Sequence, residues 1–341
     1  MSPFNPLNGQ AHAAPQEVLP RFVLPSAYVG LGGYAKAVFP YLDAFLQQHY
    51  GGERLPCLPR VLFDFDPAPA EVSLDGTVYS IESYFKRLPK KVLLDYYRKL
   101  RRKKTAEVEA LRCFAGYVRL EDVRATDAPG LNLFMQGANL AWRLVWQQYV
   151  EPELKRVLQG LHPDPQTRSA LERQGIRVSP RSTIWVIAGG GSTTGPSGLI
   201  PALCTLKARK PPQTNLFAIV FTPPCYRDKT THHRRKGQAI FRATMEQLLA
   251  IFGGQEFDQP YSTDGYRISL HEEPFDQLFL VDGTMGGGLR ELPNEELAQL
   301  VALFLSKLAV GPVGERILGT IMGNLNPDVQ GNNQEEEKHA A

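Results

Sequence analysis

The sequence predicts an α/β protein with a mostly parallel β-sheet and helices on both faces. Five short apolar segments, each typical of a buried strand, alternate with longer segments typical of helices. The predicted strands are residues 25–30, 60–66, 184–188, 215–222 and 275–282. Two of them run into glycine-rich turns that are followed by helix-forming sequence. Such strand–turn–helix units pack as parallel sheets.

The first strand, residues 25–30, ends in a glycine turn. Gly30, Gly32 and Gly33 precede Tyr34-Ala35-Lys36, where a helix is predicted to begin. Glycines let the backbone turn tightly and bring N–H groups against an anion, and the helix N-terminus adds a favourable dipole. These three glycines are therefore candidate ligand-binding residues.

The second strand, residues 60–66, ends in the acid Asp66. The connection from residue 67 to residue 180 is too long for one crossover, so we interpret it as a helical insertion. Its helices are predicted at residues 78–87, 90–112 and 135–158.

The third strand leads into the most informative stretch of the chain, Gly189-Gly190-Gly191-Ser192-Thr193-Thr194-Gly195, and a helix follows. Glycine N–H groups and hydroxyls suit phosphate, and hydroxyls can help hold Mg²⁺. The alternative is a tight turn without a ligand, but four glycines and three hydroxyls in seven residues exceed what a turn needs. The lysine of the P-loop pattern is absent.

The last two strands each lead toward a helix. Residues 215–222 precede the cationic run 232–236, which either faces phosphates or is exposed to solvent, and then a helix through Leu249. Residues 275–282 precede a glycine-rich segment. The final helix is predicted to have Asn294 as its N-cap, with two glutamates in its first turn.

These segments, in this order, resemble the tubulin/FtsZ superfamily. Residues 189–195 are similar to its GGGTGSG signature, with Ser192 for the usual Thr and Thr193 for a glycine. Residues 30–33 resemble the first nucleotide loop of FtsZ, and more closely the IGLGG opening of the bacterial tubulin-like proteins. Asp66 matches the acid of the family's TD loop.

Further matches concern single residues. Arg235 and Ala239 keep the spacing of the family's RxxxA helix, and Gly130 and Gly137 loosely match its second phosphate loop. Asp328 is the one acid near the family's hydrolytic pattern NxDxxD.

The resemblance implies a protein that binds GTP or GDP with Mg²⁺. Asp66 would act near the metal through water, and Arg235 on the phosphate or ribose side. Asp282 would either accept hydrogen bonds from guanine or cap the end of its strand. Asp328 would be the catalytic acid. The phosphates would lie on residues of the glycine turns, namely Gly30, Gly32, Gly33, Gly130, Gly137, Gly189, Gly190, Gly191, Ser192, Thr193, Thr194 and Gly195.

Composition and the resemblance together predict a domain organisation. We expect a flexible arm over residues 1–22, one nucleotide-binding domain over 23–325, a disordered acidic tail over 326–341, and no second tubulin domain. Because that second domain normally braces the hydrolytic loop, slow or absent GTP hydrolysis is expected.

Composition narrows the class of protein. The 341 residues are 43% hydrophobic and 21% charged, and no apolar run reaches membrane-spanning length. Four scattered cysteines form no CxxC pair, so a cytoplasmic protein with free thiols is expected.

Residues 86–104 contain ten Lys or Arg and one acid. This basic helix either contacts an anionic partner, such as nucleic acid or a membrane, or is a solvated helix face.

Two rival functions remain open. The chain could be a non-hydrolysing scaffold of the same fold that self-associates or holds a partner protein. It could also be a dinucleotide-binding enzyme, although the third fingerprint glycine and a ribose-binding acid at the usual distance are missing.

Overall fold

The computed structural model describes residues 21–50, 55–66, 68–102, 111, 135–226, 231–285, 290–310, 314, 316, 317, 319 and 320. The strands are β1 (Arg21–Val23), β2 (Ser26–Leu31), β3 (Arg60–Asp64), β4 (Glu71–Leu74), β5 (Thr77–Ser80), β6 (Phe85–Arg87), β7 (Ile176–Val178), β8 (Ser182–Gly189), β9 (Thr214–Phe221), β10 (Phe257–Pro260), β11 (Arg267–Leu270), β12 (Gln277–Val281), β13 (Thr284–Met285) and β14 (Arg290–Glu291).

The α-helices are α1 (Gly33–Tyr50), α2 (Lys91–Arg102), α3 (Met135–Val145), α4 (Glu151–Gln159), α5 (Pro165–Arg173), α6 (Thr194–Lys207), α7 (Thr231–Phe252) and α8 (Asn294–Ala309). A π-helical turn, Trp146–Val150, joins α3 to α4, and a 3-10 turn, Pro223–Tyr226, follows β9.

Six strands form the central sheet in the order β12-β9-β8-β2-β3-β6, and every neighbouring pair is parallel. Numbered by their order along the chain, these strands read 6-5-4-1-2-3. The direction of winding therefore reverses between β2 and β8, and this pair is the topological switch point of the sheet. Leu31 at the end of β2 lies opposite Ala188 of β8.

Helices cover both faces of this sheet, as the sequence predicts. Because side chains alternate along each strand, Val186 of β8 faces a core that includes Trp142 of α3 and Leu203 of α6. Its neighbour Trp185 faces a second core that α1 and α8 share. The predicted fold class, a mostly parallel sheet with helices on both faces, is therefore confirmed.

The five predicted strands are confirmed to within two residues at each end. The helix predicted at residues 78–87 is wrong, because Thr77–Ser80 and Phe85–Arg87 are strands rich in β-branched and aromatic residues. The helix predicted at 90–112 is confirmed over Lys91–Arg102. The helix predicted at 135–158 is interrupted by the π-helical turn.

Asn294 is the first residue of α8 rather than its N-cap, which is Pro293. The two glutamates do lie in the first turn of this helix. Among the described residues, no helix has the length and apolar character that crossing a membrane requires.

Candidate functional site

The two glycine turns meet at the switch point. Gly32 has a φ of +79°, and a Cβ placed there would lie 3.2 Å from Thr194 Cβ and 3.3 Å from Gly195 N. A Cβ on Gly195 would lie 2.6 Å from the Gly189 carbonyl oxygen and 3.3 Å from that of Leu31. The first turn of α6 thus packs directly on the ends of β2 and β8, in a space that admits only glycine.

Two helices begin at this contact, α1 at Gly33 and α6 at Thr194. The first turns of both helices, whose residues are all described, contain no acidic residue. The N-cap residue of α6, Thr193, makes no side-chain capping bond. Backbone N–H groups at helix N-termini carry partial positive charge, so the pair of helix starts suits an anion.

The glycines of the two turns have different roles. A Cβ on Gly33 would meet nothing within 4 Å, so this glycine borders open space. A Cβ on Gly30 would lie 2.9 Å from Ala35 Cβ, and one on Gly190 would lie 2.6 Å from the Phe241 ring. The Gly190 N–H donates to the Phe221 carbonyl oxygen at 2.7 Å. Gly30 and Gly190 therefore allow close packing, whereas Gly33 is exposed.

Hydroxyls hold the shape of the loop before α6. Ser192 Oγ donates to the Gly189 carbonyl oxygen at 3.3 Å and accepts from Gly195 N at 3.4 Å. Trp142 Nε1, fully buried on α3, donates to the Thr194 carbonyl oxygen at 3.0 Å. Residues 191–193 are half-buried and Thr194 is buried. The sequence gives no signal for Trp142, because this contact joins segments far apart in the chain.

The start of α7 lies beside the same loop. A Cβ on Gly237 would lie 3.0 Å from the Gly191 carbonyl oxygen, so α7 passes directly over the loop. Arg234 and Arg235, three and two residues before Gly237, are exposed. Arg235 is thus a cation near the loop, as the sequence suggests, and no contact of its guanidinium with the loop is seen.

At the neighbouring strand, Asp66 belongs to an ionic cluster. Lys36 Nζ lies 3.0 Å from Asp64 Oδ2 and 3.7 Å from Asp66 Oδ2, and it donates to the Ala68 carbonyl oxygen at 2.9 Å. Asp64 is buried and Asp66 is about one-third exposed. Sequence reasoning missed the roles of Lys36 and Asp64, because the partners are 28 residues apart.

An open cavity of about 480 Å³ lies between α1, β4 and the start of α8. It is lined by Ala37, Pro40, Tyr41, Ala70, Glu71, Val72, Ser73, Leu74, Asn294, Glu295 and Ala298. Tyr41 Oη donates to Glu295 Oε1 at 2.7 Å, and burial, together with this carboxylate, raises the pKa of Tyr41 above its usual value. Gly33, Ala37 and Pro40 recur on one side of α1, so the cavity and the open space at Gly33 share that side.

An aromatic pair crosses the end of β8. The Tyr34 ring, in the first turn of α1, stacks on Phe221 with 4.8 Å between ring centroids and an interplanar angle of 28°. The Tyr34 hydroxyl donates to the Cys225 carbonyl oxygen. This pair joins α1 to the ends of β9 and β12, since Cys225 Sγ also contacts the Val281 carbonyl oxygen at 3.2 Å.

The other predicted residues lie apart from this arrangement. Asp282 is exposed, and its Oδ1 accepts from Thr284 N and Oγ1, both at 2.9 Å, which closes a turn. Gly137 is buried in the first turn of α3. Gly130, Asp328, the glycine run 286–288 and the predicted tail, residues 326–341, lie outside the described residues.

The basic helix α2 begins after Arg87, which lies opposite Asp64 at the carboxyl end of β6. Leu93 and Tyr96 are buried, whereas Lys91, Arg98 and Lys99 are exposed. The apolar face of α2 therefore packs inward. Lys91, Arg98 and Lys99 lie on its exposed face.

No protein-family model and no curated protein matches the chain. A solved structure, CetZ2 from Haloferax volcanii, described as a GTPγS-bound protofilament, is similar over 83% of this chain at 14% sequence identity, with a TM-score of 0.39. This chain spans 58% of the length of that chain.

Proposed function

We propose that this protein binds a guanine nucleotide, GTP or GDP, in the manner of the tubulin/FtsZ proteins that its glycine turns resemble. The observation that carries the proposal is the contact between the turn at Gly32 and the first turn of α6, at the switch point of the sheet. In open α/β sheets, ligands bind outside the carboxyl ends of the strands at this point.

The phosphates would lie between the starts of α1 and α6. Gly33 borders open space, and residues 191–193 are half-buried, so backbone N–H groups from both turns, and hydroxyls from the second turn, can approach one anion. Arg235 would add a cation from the start of α7. The lack of acidic residues in the first turns of α1 and α6 avoids repulsion of the phosphates.

The ribose and base would follow the open side of α1 into the cavity beside α8. Ala37 is about 6 Å and Tyr41 about 12 Å beyond Gly33 along the helix axis, at a rise of 1.5 Å per residue. Glu295 lies there with its carboxylate oriented by Tyr41 Oη. An ionised carboxylate only accepts hydrogen bonds, which suits the N1–H and N2 amine of guanine. We therefore place base recognition at Glu295 rather than at Asp282, whose carboxylate closes a turn.

Hydrolysis is proposed to be slow. Asp328 is the candidate catalytic acid from the sequence, and the two acids at the end of β3, Asp64 and Asp66, are paired with Lys36. A scaffold that binds nucleotide without hydrolysing it, and that self-associates or holds a partner protein, fits the same arrangement.

One observation favours a dinucleotide-binding enzyme as the second candidate. The strand order is also that of dinucleotide-binding folds, whose fingerprint GxGxxG allows alanine at the last position. Ala35 holds that position and packs 2.9 Å from where a Cβ on Gly30 would be. The second glycine turn, after β8, favours the guanine nucleotide, because the dinucleotide fingerprint uses only the first turn.

Calorimetric titration of the purified protein with GTP, GDP, ATP and NAD tests the proposal. GTP or GDP should bind at least tenfold more tightly than ATP and NAD, a difference of about 1.4 kcal/mol. Tighter binding of NAD would support the dinucleotide enzyme instead. No binding of any of the four at millimolar concentration would contradict both.

A further inference from the structure

We infer that the Lys36 ammonium takes the place of Mg²⁺ beside the phosphate site, so that this protein binds its nucleotide without a divalent cation. The inference rests on the proposed function, and it concerns the charge at the end of β3, next to the glycine turn of β2.

The position of Lys36 is fixed by its surroundings. Its backbone N–H donates to the Gly32 carbonyl oxygen at 3.1 Å, so it lies one turn after the glycine turn. Its ammonium has three oxygen partners, the Asp64 and Asp66 carboxylates and the Ala68 carbonyl. The Asp64 and Ala68 contacts, at 3.0 and 2.9 Å, are at hydrogen-bond distance, and Asp66 at 3.7 Å forms an ion pair with the same ammonium. The side chain is only 10% exposed.

The residues at this edge do not fit Mg²⁺. That ion requires nearly octahedral oxygen ligands at about 2.0–2.1 Å, and it is usually held by one or two carboxylates together with phosphates. The two carboxylates at the end of β3, Asp64 and Asp66, already contact a fixed cation. A divalent ion bound to either would lie next to the ammonium, and like charges so close repel strongly. Ser192, a hydroxyl of the loop before α6, is engaged within that loop.

Lys36 therefore supplies, from a side chain of the protein, the positive charge that Mg²⁺ would otherwise provide. Without it, two carboxylates would stand one strand away from the start of α1 and repel a phosphate. With it, their charge is compensated from within the fold, and the N-termini of α1 and α6 can accept the anion. Lys36 is a positioning residue in this account, since no contact with the nucleotide is assigned to it.

The test is calorimetric titration of the full chain with GTP in two buffers, one with MgCl₂ and one with EDTA. The dissociation constant should differ by less than fivefold between the buffers. In Lys36→Met the carboxylates lose their cation, and binding in EDTA should weaken at least tenfold relative to binding in MgCl₂. Lys36→Arg keeps the charge and serves as the matched control, which should behave as the unmodified protein does.

Lys36→Met leaves Asp64 buried without its cation and could prevent folding. The double variant Lys36→Met/Asp64→Asn removes that buried charge, keeps Asp66 and should show the same dependence on Mg²⁺. Binding by the unmodified protein that weakens fivefold or more in EDTA would overturn the inference and leave the proposed function standing. Absence of binding in both buffers would overturn the proposed function and the inference with it.

Discussion

Replacing Gly195 by alanine should destabilise the protein, whereas the same change at Gly33 should not. Both glycines lie in the first turn of a helix, α6 and α1 respectively. The added methyl would meet the Gly189 carbonyl oxygen at 2.6 Å and the Gly189 nitrogen at 3.0 Å in the first case, and nothing within 4 Å in the second. The two variants therefore compare the same substitution at a position with no room for a methyl group, Gly195, and at one with room for it, Gly33.

The change in the free energy of unfolding is the sum of two opposing contributions. Alanine is more favourable than glycine in a helix by about 1 kcal/mol, and Gly33→Ala should gain up to that amount. At Gly195 the new contacts are with strand backbone, which cannot turn away as a side chain can. Overpacking of this kind costs about 1–3 kcal/mol. After the helix gain is subtracted, Gly195→Ala should lose up to about 2 kcal/mol, and it should be about 1–3 kcal/mol less stable than Gly33→Ala.

Equilibrium unfolding in urea without nucleotide measures both variants against the unmodified protein. GTP titration of Gly33→Ala then separates stability from binding, because its methyl would point into the space proposed for phosphate. Its dissociation constant should rise at least fivefold although the fold is not weakened. If Gly195→Ala is as stable as Gly33→Ala, the first turn of α6 does not lie against the ends of β2 and β8, and the described site is wrong.

Three further predictions follow from the site. Reversing charges in the basic helix (Arg98→Glu, Arg101→Glu, Arg102→Glu and Lys103→Glu together) should change GTP affinity less than threefold, about 0.65 kcal/mol, by calorimetry, because this helix belongs to neither of the glycine turns proposed to hold the nucleotide. A larger loss would place this helix over the nucleotide. Glu295→Gln should lower the preference for GTP over ATP at least tenfold. The control is Glu296→Gln, because Glu296 is the next residue but pairs with Arg290 at 2.8 Å, and this variant should keep the preference for GTP over ATP. If both variants lower the preference equally, Glu295 does not recognise the base. The isolated chain should release phosphate from GTP near the background rate at all protein concentrations. Rapid turnover that rises with concentration and is lost in Asp328→Ala would contradict this.

The parts of the fold that sequence reasoning could predict are those with a strong local signal. β2 and β8 each contain an apolar run that leads into a glycine-rich turn, and both strands and turns were predictable for that reason. The strands β5 and β6 were missed because each is short and only partly buried, so helix and strand patterns cannot be told apart there.

The candidate site was predictable in its turns and not in its side chains. The close approach of Gly32 to Gly195 follows from the switch point once the strand order is known, but that order requires the packed sheet. The pairing of Lys36 with Asp64 and the cavity at Glu295 depend on contacts between distant segments, which no local pattern reports. Gly30 and Gly190 belong to the predicted ligand-binding motifs, but the structure shows that each is a glycine because neighbouring atoms leave no room for a side chain.

The central claim is that a guanine nucleotide lies between the two glycine turns. The most direct measurement is to incubate the purified protein with millimolar GTP, remove free ligand, denature the protein and identify the released nucleotide by chromatography. We predict GTP or GDP from the unmodified protein and much less from Gly33→Asp, which places a carboxylate in the open space where phosphate would lie. Release of an adenine dinucleotide, or of no nucleotide at all, would contradict the account.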